Sequence, residues 1–148
     1  MAEREITAEE QQTVTELVAR ARAAMAAAES FDQARVDRLC RAIAWAGGNL
    51  ATATRLAEMS VAESGMGSPE PSRRGKVLGI LRDALRQKSI GVIAGLIPVT
   101  SPYVTPIGIA IYALKCRDAV IFAPHPGSRR TTNETVRLLR AALQELGR

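Results

Sequence analysis

The chain holds few side chains able to make or break bonds, and they stand apart from one another. Cysteine is the best nucleophile available, and there are two. Cys40 falls on the apolar face of a predicted helix, while Cys116 lies between Lys115 and Arg117. Those cations could lower the Cys116 pKa toward a reactive thiolate, but the favoured reading is a small residue at a helix end leading into a strand. His125 is the single histidine, and no acidic or cysteine cluster accompanies it, so no metal site is expected. The same isolation leaves a Ser-His-Asp relay unsupported, and the second half of the chain has no paired carboxylates for acid–base work. Gly75-Lys76 lacks the upstream glycine of a P-loop and is followed by Val77, and no G-x-G-x-x-G opens a later helix. No residue is assigned a catalytic role on these grounds.

Charge points to one half of the molecule. The 148 residues carry a formal charge of +5. Residues 1–72 hold seven Arg and eleven Asp or Glu, a balance of −4, whereas residues 73–148 hold thirteen basic and four acidic residues, a balance of +9. An anion would approach the second half, although the favoured reading is arginines decorating solvated helix faces. A nucleic-acid partner is nevertheless not expected, because no aromatic residue interleaves with the arginines of 72–87 to stack bases, and no helix-turn-helix spacing follows. With 47% hydrophobic and 24% charged residues the chain is globular, and one core is the most this length should bury. Its N-terminal residues include acids and no apolar run, so no secretory signal is read and cytoplasm is the expected compartment.

The elements that must position these residues follow from caps and periodicity. Thr7 to Glu10 reads as a capping box opening a helix that runs to about Glu29. Ser30 and Gln33 repeat the signal for a second helix with Val36, Leu39, Cys40 and Ile43 on one face, stopped by Gly47-Gly48. Asn49 caps a third helix ending near Gly65, and Ser72 a fourth, with Val77, Ile80, Leu81 and Leu85 opposite a row of arginines. From Ser89 to Leu114 there are 26 residues without a charge. Pro98, Pro102 and Pro106 break that stretch and would strand backbone groups in lipid, so no membrane span is expected, and Gly91-x-x-x-Gly95 is not read as a membrane packing motif.

The better parse is a buried strand over Ile90–Ile97, a loop over Pro98–Val104, and a helix with Thr105 as cap and Pro106 at its first position. A second strand follows from Ala119 to Phe122, whose unbroken apolar run predicts a parallel strand covered on both faces. After the Pro124 to Gly127 loop, residues 131–134 cap a last helix. The predicted fold class is α/β: a helical N-terminal region, 1–88, then a partial Rossmann-like domain, 89–148. It holds the first strand-helix-strand-helix of an incomplete doubly wound sheet. Two parallel strands leave both edges unpaired, so homo- or hetero-oligomerisation through a sheet edge or the helices is the expected partnership.

Two segments carry a resemblance: Gly91 to Pro102 with Pro-Val-Thr-Ser-Pro at its end, and Ala113 to Pro126 ending Ala-Pro-His-Pro. They resemble the cofactor-domain start of the aldehyde dehydrogenase superfamily, in its acylating, CoA-dependent branch. Ala62-Glu63-Ser64-Gly65-Met66-Gly67 is similar to the Glu-Thr-Gly-Met-Gly of the same branch. The resemblance covers nearly the whole chain from about residue 10, as the N-terminal portion of that family. It implies NAD(P)-dependent oxidation of an aldehyde, with CoA as co-substrate. Ile97, Pro98, Val99 and Thr100 then run beside the nicotinamide, with Thr100 and Ser101 on the substrate side, and Pro124, His125 and Pro126 border the adenosine.

Three departures shape the expectation. The family's nucleophilic cysteine lies in a later domain, and neither Cys40 nor Cys116 matches it. Ser101 stands where the family has Asn. Lys88 to Gly91 joins the fourth helix directly to the strand, where the family has a hairpin used in subunit contact. The resemblance therefore implies a truncated or split enzyme, inactive alone, with weak binding of NAD or NADP because the rest of the Rossmann crevice is missing. The alternative is a non-catalytic interaction module that pairs with a full-length homologue.

Overall fold

A computed structural model describes residues 6–67 and 90–146. The first helix, α1 (Ala8–Glu29), opens on the expected capping box: the Glu10 N–H donates to Thr7 Oγ1 at 3.2 Å and the Thr7 N–H to Glu10 Oε2 at 3.0 Å. The second, α2 (Gln33–Gly48), is capped by Asp32 instead of Ser30. Ser30 is still in the right-handed helical region and its hydroxyl donates back to Ala27. Asp32 is extended, and its Oδ1 receives the Arg35 N–H at 2.6 Å. An N-cap must leave the helical region before its side chain can turn onto the first free N–H groups.

Gly47 and Gly48 do not stop α2, as both lie inside it. The stop is Asn49, whose extended backbone ends α2 and starts α3 (Leu50–Ser64). Its Nδ2 donates to the Trp45 carbonyl at 2.8 Å and its Oδ1 receives the Thr52 N–H at 3.0 Å, so one side chain serves two helix ends. Gly65, at φ 67°, closes α3 in the left-handed conformation that glycine adopts at little cost. The predicted fourth helix, 72–87, with its arginine row, lies outside the described residues.

The second half alternates as expected: β1 (Val92–Ile97), α4 (Val104–Cys116), β2 (Ala119–Pro124), a short 3-10 turn (Pro126–Ser128) and α5 (Arg129–Leu146). The strands are parallel, in register from Val92 with Ala119 to Ile97 with Pro124. The α/β class is as read. β1 begins two residues later than predicted, because Gly91 turns at φ 97° and the N–H groups of Ile90 and Gly91 donate to Asp118 at 3.0 and 2.9 Å instead of entering a ladder. α4 begins one residue before Thr105, with Tyr103 at the cap position making no side-chain cap bond. Pro106 thus sits in the first turn, where a missing N–H costs nothing. β2 runs on to Pro124, two residues past Phe122. Cover on both faces is not observed: Ala94 and Ala123 are exposed, and Leu96 is 78% exposed.

The core sits between helices. Ile43 of α2, Ile107 and Ile111 of α4, and Leu139 of α5 form one buried cluster. Leu56, Ala57 and Tyr103 form a second, joined to the first through Val104. Arg117 holds the far end of the sheet. Its left-handed backbone (φ 62°) closes α4, and its Nε and Nη2 donate to the Phe31 carbonyl at 3.1 and 2.8 Å, tying the α1–α2 corner to the strand ends.

Gly47 is where α2 and α4 meet. A Cβ there would overlap Ile107 Cδ1 and stand 2.8 Å from its Cγ1. Ile107 is fully buried, so its side chain would have to shift within the core. Gly47→Ala is expected to destabilise by about 1–3 kcal/mol from overpacking, offset by about 1 kcal/mol of helix propensity. Adding Ile107→Val should recover part of the loss, and thermal denaturation of the three proteins checks it.

Candidate functional site

At the carboxyl ends of parallel strands the backbone turns away and leaves a crevice, the usual ligand position in open α/β sheets. Here the two ends are tied together. The His125 N–H donates to the Ile97 carbonyl at 3.1 Å, carrying the pairing one step past Pro124. The segment after β1 turns tightly, with Ser101 N–H reaching Pro98 O at 3.4 Å and Thr105 N–H reaching Ser101 O at 3.2 Å. The segment after β2 turns on His125, whose Nδ1 accepts the Gly127 N–H at 3.1 Å. An accepting Nδ1 leaves the ring proton to Nε2. The two segments meet, since a methyl at Gly127 would lie 3.7 Å from Val99 Cγ2 and 3.4 Å from His125 Nδ1.

The candidate residues are therefore neighbours in space as well as by resemblance. Pro98, Thr100, His125 and Pro126 are exposed; Val99, Ser101 and Pro124 are half-buried. Ile97 is different. Its side chain is 3% exposed and its carbonyl accepts the His125 N–H, so it is the buried member of the group.

What holds both segments is the first turn of α5. Residues 131–134 do not cap this helix, which starts at Arg129; Thr131 and Thr132 lie fully buried inside its first turn. The capping group comes from α3. Glu63 Oε1 receives the Arg130 N–H at 2.6 Å, and its Oε2 receives the Thr131 N–H at 2.8 Å and the Thr131 hydroxyl at 2.7 Å. The Thr132 hydroxyl donates to the Pro102 carbonyl at 3.1 Å, and the Ser128 N–H to the His125 carbonyl at 3.0 Å. Sequence reasoning passed over Glu63 because its partners lie 67 and 68 positions away. Only its place in the Glu63-Ser64-Gly65 segment marked it at all.

Charge follows the same contacts. Burial works against the Glu63 carboxylate, but the hydrogen bonds from Thr131 and Arg130 outweigh it and hold its pKa below the ordinary value of 4.5. Glu134, one turn on, is pulled down to about 2, chiefly by its hydrogen bonds from Arg137, against some burial and with further help from Arg55 at 2.9 Å. The thiols go the other way. Burial raises the Cys40 pKa, and its Sγ lies 3.8 Å from the Ile111 carbonyl. Burial and the nearby Asp118 raise that of Cys116, so its flanking cations do not activate it. Among the described residues no group of His, Cys, Asp and Glu could hold a metal ion, and no helix is long and apolar enough to cross a membrane.

No protein-family model matches the chain. It is 34% identical over 151 residues to a sulfoacetaldehyde dehydrogenase of an Acholeplasma species, covering 88% of this chain and 31% of that protein. To the acylating sulfoacetaldehyde dehydrogenase of Cupriavidus necator it is 36% identical over 141 residues, covering 81% and 29%. The crystal structure of an acetylating aldehyde dehydrogenase from Geobacillus thermoglucosidasius superposes with a TM-score of 0.80 at 30% identity, over 92% of this chain and 34% of that one. The chain belongs to the acylating branch of the aldehyde dehydrogenases. It spans about a third of the length of the curated relatives it matches. A propionaldehyde dehydrogenase of Rhodopseudomonas palustris solved with bound CoA, 25% identical, has the same fold over 90% of this chain, with a TM-score of 0.80.

Two measurements check the site chemistry of this acylating-branch chain. Both thiols are buried and held protonated, so iodoacetamide at pH 8 should label the folded chain at least about tenfold more slowly than the chain in denaturant, by mass spectrometry. The carboxylates set the acid limb of stability. Glu63 and Glu134 ionise more readily folded than unfolded, so their contribution is complete above their ordinary value of 4.5. It is lost as pH falls through the folded values, for Glu134 to about 2. Denaturant unfolding from pH 6 to pH 2 should show this fall, and Glu134→Gln should flatten it.

Proposed function

We propose that the segments 97–101 and 124–127 form part of an NAD(P)-binding surface, and that the chain contributes it to the oxidation of an aldehyde by NAD(P)+ with CoA, giving acyl-CoA, NAD(P)H and a proton. The observation that carries this reading is the meeting of Val99, His125 and Gly127 at the carboxyl ends of two parallel strands. When bound, the dinucleotide would supply the hydride acceptor. Thr100 and Ser101 hydroxyls and His125 Nε2 would hold it and the substrate oxygen as hydrogen-bond donors. The residues suit ribose and carbonyl oxygens better than phosphate, because the N–H groups of Arg130 and Thr131, the natural anion site of α5, are already filled by Glu63.

Covalent catalysis of an acyl transfer needs an accessible thiolate. Both cysteines of this chain are buried, with their pKa values raised. We therefore assign the nucleophile to residues outside this sequence, and expect the chain alone to be inactive, to bind NAD(P) weakly, and to reside in the cytoplasm. Titrating the isotope-labelled chain with NAD+ and with NADP+ should move the amide resonances of Ile97, Val99, Thr100, Ser101, His125, Gly127 and Ser128 ahead of all others, without turnover of aldehyde and CoA. Shifts elsewhere, or none at millimolar dinucleotide, would refute the assignment.

The exposed sheet favours a second reading, a module that pairs with a full-length homologue. Ile90 and Leu96 are 77% and 78% exposed beside a strand with one free edge among the described residues. Co-expression with an acylating dehydrogenase followed by affinity capture tests it, and a chain that remains monomeric beside that partner would end it.

A further inference from the structure

We infer that Glu63 is a positioning residue for the dinucleotide surface, acting through the first turn of α5. The inference rests on the reading of 97–101 and 124–127 as that surface. The N-terminus of a helix leaves four N–H groups without partners, and the residue just before the helix ordinarily serves them. Before α5 stands Ser128, the last residue of the 3-10 turn, so no extended residue there offers a local cap. Its hydroxyl is fully buried and has no hydrogen-bond partner among the described residues. The Glu63 carboxylate takes the cap in its place, across from another helix, with three donors from two residues.

A cap borrowed from α3 does what a local one cannot. It fixes the turn relative to a second helix, and that turn meets both site segments: Thr132 holds Pro102 on the β1 side, and on the β2 side α5 follows directly on the 3-10 turn, whose Ser128 N–H donates to the His125 carbonyl. The end of α3 is itself made rigid for this. Ser64 donates to Ser60 at 2.7 Å and accepts the Met66 N–H at 3.2 Å, and Gly65 turns the chain away two residues after Glu63. Carboxylate, turn and segments form one continuous path, so losing the charge should cost order at the site before it costs the helical core, whose clusters do not include Glu63.

The test uses the full chain and two substitutions. Glu63→Gln keeps size but turns an amide N–H2 toward N–H donors. Thr132→Val keeps the cap and cuts only the link to Pro102. Amide hydrogen exchange of Glu63→Gln should rise about tenfold or more at Gly127, Ser128, Arg130 and Thr131, with Val36 to Ile43 of α2 within about twofold of the parent. The dissociation constant for NAD(P)+ should rise about threefold or more. Thr132→Val should loosen 99–102 alone, and it carries the test by itself if Glu63→Gln fails to fold. Unchanged exchange at these amides, or an equal rise throughout α2, would overturn the inference, since the second result describes a residue needed only for stability. If the parent chain shows no dinucleotide shifts, the surface reading fails, while the exchange pattern still decides what Glu63 positions.

Discussion

One carboxylate joins the parts of this molecule that sequence keeps apart. Glu63 lies in the last turn of α3 and caps α5, and its two oxygens meet three donors in a turn linked to the segments following both strands. Charge-assisted hydrogen bonds to backbone N–H groups are among the stronger ones available to a fold. No local residue competes for the cap, because the 3-10 turn runs straight into α5. A helix capped by a neighbouring helix is coupled to it, and here the coupling runs from the helical half to the candidate ligand surface.

The sheet itself is small, and its chemistry follows from that. Two parallel strands give one pair of carboxyl ends, hence a single crevice edge, and they leave Leu96 and Ile90 uncovered. Both thiols lie in the packed interior, with pKa values raised by burial. Neither cysteine is thus activated at the sheet edge that we read as a cofactor surface.

Local signals were legible where they decide structure locally. The Thr7–Glu10 box, the Asn49 cap, the Gly65 stop and the strand-helix-strand-helix order all read directly from residue type and spacing. Errors arose where a tertiary contact overrides a local preference. Gly47 looks like a stop and is instead a close approach to Ile107; Thr131 looks like a cap and is instead a buried donor to Glu63. The site was legible only through resemblance: nothing in Pro98 to Ser101 or Pro124 to Pro126 announces a ligand. The link between the two segments, His125 N–H to Ile97 O, depends on strand register, which no local pattern prints. Glu63 was the largest omission, for the same reason.

The most direct measurement is a crystal structure of the chain soaked with NADP+ or NAD+. The account predicts density for the dinucleotide against Val99, Thr100 and His125, with Glu63 still seated on Arg130 and Thr131. Dinucleotide bound elsewhere, or a phosphate occupying the α5 N-terminus in place of the Glu63 carboxylate, would contradict it.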